Sequence, residues 1–241
     1  MVTTVCMIVL IIAVAFVPSL LYMVRVRNWE RFGREPYTRL LLMFGYGAFV
    51  AVIITLILSS LVLGELMRFE RLTEVGGEHF LSAVVVAPIV EELAKGLGLV
   101  FVIAAIKREE DGMVYGAAIG LGFAATENLL YELNALATGG IAAYIATAFL
   151  RIISSTLLHA TATGVTGFGV GRAVMTQKAL VTALPFYLTA VLMHATFNFI
   201  ASLPSVWPDT FGVWTGIISL LLVILFAGFA WRVMRERISE S

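Results

Sequence analysis

Long apolar stretches alternate with short polar ones along the whole chain. The apolar runs cover roughly 3–24, 40–63, 80–106, 112–133, 142–170, 179–202 and 211–231. Each can cross a bilayer, whose hydrocarbon core takes about 20 apolar residues of helix. The pattern predicts an all-α, polytopic transmembrane helix bundle of about seven spans, a single domain over residues 1–241. The short polar stretches leave no room for a soluble domain and contain no low-complexity linker.

Composition agrees with that solvent. Of 241 residues, 60% are hydrophobic and 13% charged, and the mean hydropathy is +0.98. A multi-pass integral protein of the cell membrane is expected, with the lipid bilayer as partner and no nucleic acid.

The net charge of zero hides an asymmetry. Arg25, Arg27, Arg31, Arg34, Arg39, Lys107, Arg108, Arg172, Lys178, Arg232, Arg235 and Arg237 lie after spans one, three and five and in the tail. Loops of the other side hold only Arg68 and Arg71. By the positive-inside rule the C-terminus is cytoplasmic and the N-terminus outside. No Lys or Arg precedes Arg25, so the first run reads as a span rather than a cleavable signal peptide. Lone Cys6 has no intrachain partner and reads as an apolar residue. The stretch 64–79 reads as a short outer amphipathic segment ending in a solvated His79.

Polar residues inside the spans carry the candidate chemistry. The third run is interrupted by Glu91, Glu92 and Lys95; later runs hold Glu127, Arg151, His159, His194 and Asn198. Five charges isolated in lipid would cost on the order of 15 kcal/mol at about 3 kcal/mol each. A whole fold is stable by only about 5–15 kcal/mol. These groups must therefore face one another or a polar cavity lined by spans three to six. Three carboxylates against Lys95 and Arg151 leave one negative charge, to be balanced by a proton, a histidinium or a metal.

Helical spacing sorts them further. Glu91 precedes Lys95 by four, the favourable order for an ion pair, and Glu92 competes from three away. Pro88 removes a backbone donor beside them. Arg151, Ser155 and His159 form one four-residue stripe; His194 and Asn198 form another. Counting at 1.5 Å per residue puts Glu92, Glu127, Arg151 and His194 roughly 12–16 Å deep, and His159 roughly 24 Å. Plainer roles exist as well. Glu127 balances Arg151 across helices, Asn198 cross-links two helices, and Gly112, Gly116 and Gly120 permit close packing.

Among intramembrane proteolytic chemistries, the zinc motif His-Glu-x-x-His is absent, and the only aspartates, Asp111 and Asp209, fall in predicted loops. Ser155 and His159 could meet as a serine pair, which would leave the double glutamate without a role. A carboxylate activating water beside histidine remains.

The run Glu91-Glu92-x-x-Lys95, then Gly120-x-Gly122-Phe123-Ala124-x-x-Glu127-Asn128, then Arg151 with His159, then His194-Ala195-x-x-Asn198 resembles the PrsW intramembrane proteases. These belong to the superfamily of CAAX prenyl proteases and bacteriocin-processing enzymes, and the likeness covers about 120 residues, with the core at roughly 80–202. The resemblance implies a membrane-embedded endopeptidase acting on a single-pass membrane protein such as an anti-sigma factor.

It also implies site residues. Glu91 or Glu92 would activate water, and His194 and Asn198 would form the oxyanion site. Glu127 stands where the CAAX branch has His, so His159 would help hold the water; Lys95, Asn128 and Arg151 would support them. No cofactor is required on this reading. The zinc-dependent alternative stays open, with Glu92, Glu127, His159 and His194 as ligands. Two non-proteolytic alternatives are an Aph-1-like scaffold and a proton-coupled transporter.

Overall fold

The apolar runs are helical in the computed structural model, which describes residues 2–31, 33–66, 81–206 and 213–240; no strand occurs among them. Helix α1 (Val2–Trp29) is followed by α2 (Tyr37–Gly45), which passes through a π-helical turn (Tyr46–Ala51) into α3 (Val52–Leu66). A second π-helical turn (Leu81–Val86) leads into α4 (Ala87–Leu97) and a 3₁₀ stretch (Gly98–Ala105). Then come α5 (Glu109–Ile153), α6 (Ser155–Met175), a 3₁₀ turn (Leu180–Ala183), α7 (Leu184–Val206) and α8 (Val213–Ser239). Arg68, Glu70, Arg71, Glu74, Glu78 and His79 of the expected outer segment lie outside the described residues, as does Asp209.

Five helical stretches are long and apolar enough to cross a membrane: Cys6–Trp29, Tyr37–Glu65, Glu109–Met175, Leu180–Pro204 and Trp214–Ser239. The expected run 80–106 is not among them, because Glu91, Glu92 and Lys95 put three charges into the middle of its described part. Pro88 sits in the first turn of α4, where its missing N–H costs no intrahelical bond, and the wider π turn precedes it. The stretch Glu109–Met175 merges two expected spans but is not one rod. Gly140 (φ 72°, ψ −165°) breaks α5 in a left-handed conformation that glycine tolerates. Ser154 (φ −127°, ψ −75°) separates α5 from α6.

The first half of α5 is the core of the bundle. Between Met113 and Ala125 every apolar side chain is buried, against α1, α2, the Tyr46–Ala51 turn and α6. Gly112 abuts Gly167, Gly116 abuts Thr163 and Gly120 abuts His159, a descending order that makes α5 and α6 antiparallel. A Cβ at any of the three would collide with a backbone carbonyl oxygen of α6. The close-packing role of this glycine spacing is what the structure shows.

The basic segments gather at one end of the bundle. Arg108 pairs with Glu30 beyond α1 at 3.1 Å, and Arg237 of α8 pairs with Glu110 at 3.1 Å. The end of α6, at Gly171, packs on Glu109. Asp111 is a correction to the sequence reading. It lies buried in the first turn of α5, not in a loop, and accepts the backbone N–H groups of Lys107 (2.8 Å) and Arg108 (2.9 Å). Its carboxylate satisfies donors that a helix start leaves unpaired, so α5 begins at Glu109, three residues earlier than predicted.

Glu30, at this end and outside the apolar span, accepts the backbone N–H of Glu35 at 3.0 Å. Burial pushes its carboxyl up from the ordinary value to about 7. A raised carboxyl pKa adds stability that is complete below the unfolded value and lost as pH climbs through the folded one. The melting temperature in detergent should therefore fall between pH 5 and pH 8. Glu30→Gln should flatten that slope; an unchanged slope would show that another group sets it.

Candidate active site

Four elements converge on one buried polar cluster. Lys95, on α4, is fully buried, with its Nζ 2.7 Å from Glu92 Oε1, 2.9 Å from His159 Nδ1 and 3.5 Å from Glu91 Oε2. The Phe123 ring of α5 lies beneath the ammonium, 4.2 Å from centroid to Nζ. The helical stagger explains the division of labour between the two glutamates. Glu92, three residues before Lys95, holds the shorter ion pair, and Glu91, four before, holds the longer one.

Glu92 is fully engaged. Its Oε1 also receives His194 Nδ1 at 3.0 Å, and its Oε2 accepts the Thr163 hydroxyl at 3.0 Å. A carboxylate that accepts at Nδ1 fixes the imidazole as the Nδ1–H tautomer and leaves the Nε2 lone pair free. That Nε2 lies 3.8 Å from Glu91 Oε2. Glu91 Oε2 is itself buried with no hydrogen-bond partner. Two acceptors face each other across a gap that a water molecule or a cation would bridge. Of the three carboxylates in the sequence count, Glu91 is therefore the one with the fewest hydrogen-bonding partners.

A second chain of contacts adjoins the first. Lysine has only protons to give, so His159 accepts at Nδ1 and donates from Nε2 to Glu127 Oε2 at 2.8 Å. Glu127 is paired with Arg151 at 2.5 Å, an ion pair that joins the two parts of α5 on either side of Gly140. Arg151 also donates to Asn128 at 2.7 Å and to Ser155 at 3.0 Å, and stacks over Tyr131. Asn128 in turn donates to Thr156 at 2.9 Å. The His159 and His194 rings meet edge to face, centroids 4.9 Å apart.

Most of the residues singled out by the sequence thus share one site. His159 was expected deeper than the others; the break at Ser154 starts α6 late enough to bring it level with Glu127. Asn198 stands apart, its Nδ2 donating to the Ala83 carbonyl at 2.8 Å and tying α7 to the Leu81–Val86 turn. Thr163 was missed, although it continues the four-residue stripe 151, 155, 159. Glu132, one turn beyond Asn128, was also missed; it is fully buried with no hydrogen-bond partner on either carboxylate oxygen.

The match to known proteins covers the same region and more. Residues 35–229 match the PrsW family of intramembrane metalloproteases. The chain belongs to that family. It is 26% identical over 237 residues to "Protease PrsW" of Clostridioides difficile (strain 630), covering 94% of this chain and 89% of that one. "Protease PrsW" of Bacillus subtilis (strain 168) is 30% identical over 165 residues, 63% of this chain and 72% of the relative. The Oceanobacillus iheyensis protein of the same name is 31% identical over 165 residues, 65% and 67% of the two chains. No solved structure matches. A membrane-embedded protease of the PrsW family is therefore the enzyme class.

The family description implies a metal, and the donors fit one in kind. Glu91, His159 and His194 each offer a ligand atom within 4.8 Å of the others. One carboxylate and two imidazoles are the protein ligands of many catalytic zinc sites, and Glu91 Oε2 is unpartnered. Bound there, zinc would lower the pKa of a bound water and polarise a carbonyl. The set differs from the zinc ligands expected from sequence, because both oxygens of Glu92 and the facing oxygen of Glu127 already have partners. Lys95 is a resident cation in the same cluster, and it occupies His159 Nδ1.

The two glutamates should separate by stability as well as by chemistry. Removing one partner of a buried ion pair typically costs about 3–5 kcal/mol. Glu92→Gln should lose that order of stability in chemical or thermal unfolding. Glu91→Gln, whose Oε2 makes no hydrogen bond, should melt within a degree or two of wild type. Equal losses would mean that Glu91 is as structural as Glu92.

Proposed function

We propose that the protein is an intramembrane endopeptidase in which Glu91 activates water without a metal. The single observation that carries the reading is the unpartnered Glu91 Oε2 facing His194 Nε2 at 3.8 Å. Water held between them attacks the substrate carbonyl carbon, and its proton passes to Glu91. As the tetrahedral intermediate collapses, the C–N bond breaks and Glu91 returns that proton to the leaving amine. One product ends in a carboxylate, the other in an amine.

The neighbours serve this step. Glu92 positions His194 by accepting its Nδ1–H. Lys95 supplies the permanent positive charge that lets Glu91 and Glu92 coexist in a low-dielectric site. His159, held by Glu127 and Arg151, walls the other side. Asn198 has a second amide proton beyond the one given to Ala83, which suits it to the oxyanion. A zinc-dependent variant with Glu91, His159 and His194 as ligands is the second reading, favoured by the proximity of their ligand atoms. Substrate is a single-pass membrane protein of anti-sigma-factor type, named so in keeping with the family.

The proposed setting is the cell membrane, with seven crossings, N-terminus outside. The clustering of basic segments at one end of the bundle supports that orientation. Cysteines placed in the 64–79 loop and in the tail after Arg232 should label from opposite sides; labelling from the same side would overturn it.

Cleavage itself is tested by comparing membrane proteomes with wild-type and Glu91→Gln protein. A single-pass protein should shorten only with wild type, and the variant's rate should drop about 10²–10⁴-fold. Ser155→Ala should be nearly silent. Chelators should leave activity intact; loss with recovery on adding zinc would replace the metal-free mechanism by the zinc one. If no membrane protein is cut, the scaffold or transporter reading takes over.

A further inference from the structure

A cavity of about 310 Å³ opens at the basic end of the bundle, between the connection from α1 to α2 and the link from the 3₁₀ stretch to α5. Four cationic side chains line it: Arg34 and Arg39 from the first connection, Lys107 and Arg108 from the second. The acidic residues of its wall, Glu35 and Asp111, are buried and already engaged. Glu35 accepts the Tyr115 hydroxyl and pairs with Arg39 at 3.7 Å. Asp111 holds Arg108 at 2.8 Å and accepts two backbone N–H groups.

The carboxylates thus turn inward while the cations turn out. Arg34, Arg39 and Lys107 are all exposed. Among the described residues, the Lys107 ammonium has no ion pair or hydrogen bond, and Arg34 uses only its Nε, on the Glu30 carbonyl at 3.0 Å. Two positive charges at the rim therefore lack a counter-ion from the protein. Pro36, at the same rim, begins α2, and no side chain caps that helix start, so the positive end of the helix dipole adds to the field.

The chain itself sets the level of this cavity in the membrane. Its walls lie within a few residues of 40, where the second apolar run begins, and of 106, where the third ends. That is the depth of lipid headgroups. The two elements below it carry apolar side chains outward: Leu42 of α2 is 68% exposed and Phe101 of the 3₁₀ stretch 72%. Phe101 packs on Tyr46, just past α2, with ring centroids 5.7 Å apart, so the two elements are neighbours below the cavity as well.

We propose that this cavity binds the phosphate of an anionic phospholipid, whose acyl chains lie along α2 and the 3₁₀ stretch. A phosphate diester offers anionic oxygens to guanidinium and ammonium donors and completes the charge of Arg34 and Lys107. A soluble anion could meet the same donors, but only a lipid also covers the exposed apolar side chains beneath them. Headgroup binding is independent of the proteolytic reading.

The test uses the full chain purified in a neutral detergent and titrated with phosphatidylglycerol or with phosphatidylcholine of the same acyl chains. Occupancy is read by native mass spectrometry and stability by melting temperature. Phosphatidylglycerol should bind and raise the melting temperature; phosphatidylcholine should do neither. Arg34→Gln and Lys107→Gln should each weaken phosphatidylglycerol binding about fivefold, the worth of one basic residue beside an anionic lipid. Both side chains are exposed, so the lipid-free variants should melt with wild type. Arg235→Gln, which removes an exposed charge of α8 at the same end, should leave the affinity unchanged. Equal weakening by Arg235→Gln, or none by Arg34→Gln and Lys107→Gln, would overturn the cavity as the site. Phosphatidylcholine binding as tightly as phosphatidylglycerol would remove the part played by charge. Inorganic phosphate displacing phosphatidylglycerol at equal concentration would assign the cavity to a soluble anion instead.

Discussion

Everything in the site depends on one buried ammonium. Lys95 reaches Glu92 and Glu91 on its own helix and His159 on α6, over the Phe123 ring of α5. Through Glu92 it also governs His194 on α7. Buried charges survive only when paired, so the contacts made by this group fix how four helical elements sit. The usual objection to a buried ion pair is that hydrophobic replacement would be as stable. Here the replacement would remove the Lys95 contact of Glu91, whose Oε2, free of any hydrogen bond, is what the proposed chemistry uses.

The fold was legible wherever apolar length was the only variable. Runs two and six follow their predicted limits within about three residues, because hydrocarbon thickness sets length directly, while the helices of runs one and seven continue to Trp29 and Ser239, beyond their apolar ends at 24 and 231. Legibility stopped where backbone irregularity does the positioning. Periodicity does not announce the π turn before Pro88, the 3₁₀ stretch after Leu97 or the break at Ser154, since each preserves apolar composition while changing direction; the break at Gly140 falls in the expected gap between 133 and 142. The misplaced start of α5 has a similar source. Lys107 and Arg108 look like a loop, and Glu109, Glu110 and Asp111 look like its continuation, whereas the acidic run is the first helical turn, stabilised by its end charge.

The site was legible as a set but not as a network. Charge counting forced Glu91, Glu92, Lys95, Glu127 and Arg151 together and left one negative charge. Only geometry singles out Glu91, because the choice turns on which of two adjacent carboxylates takes the shorter Lys95 contact and the Thr163 hydroxyl. Asn198 was legible in its plainer role, as a cross-link between helical segments. It lies four residues from His194 and is bonded to a backbone carbonyl on the approach to α4. Hydroxyls were invisible for a simpler reason: Thr156, Thr163 and Thr166 are unremarkable in an apolar helix until their partners, or lack of them, are seen.

The glycines connect fold and chemistry more closely than a packing role alone suggests. Gly120 brings the α5 backbone against the His159 carbonyl. Phe123, three residues on, touches the His159 ring, and Glu127, four further, holds its Nε2 at 2.8 Å. A side chain at Gly120 would push α6 outward and carry His159 away from both Lys95 and Glu127. Those bonds are 2.9 and 2.8 Å long and span two helix pairs, so a shift of a single methyl's width would break at least one. The spacing that reads as a helix-packing stripe is thus also what sets the distance between the two halves of the polar cluster.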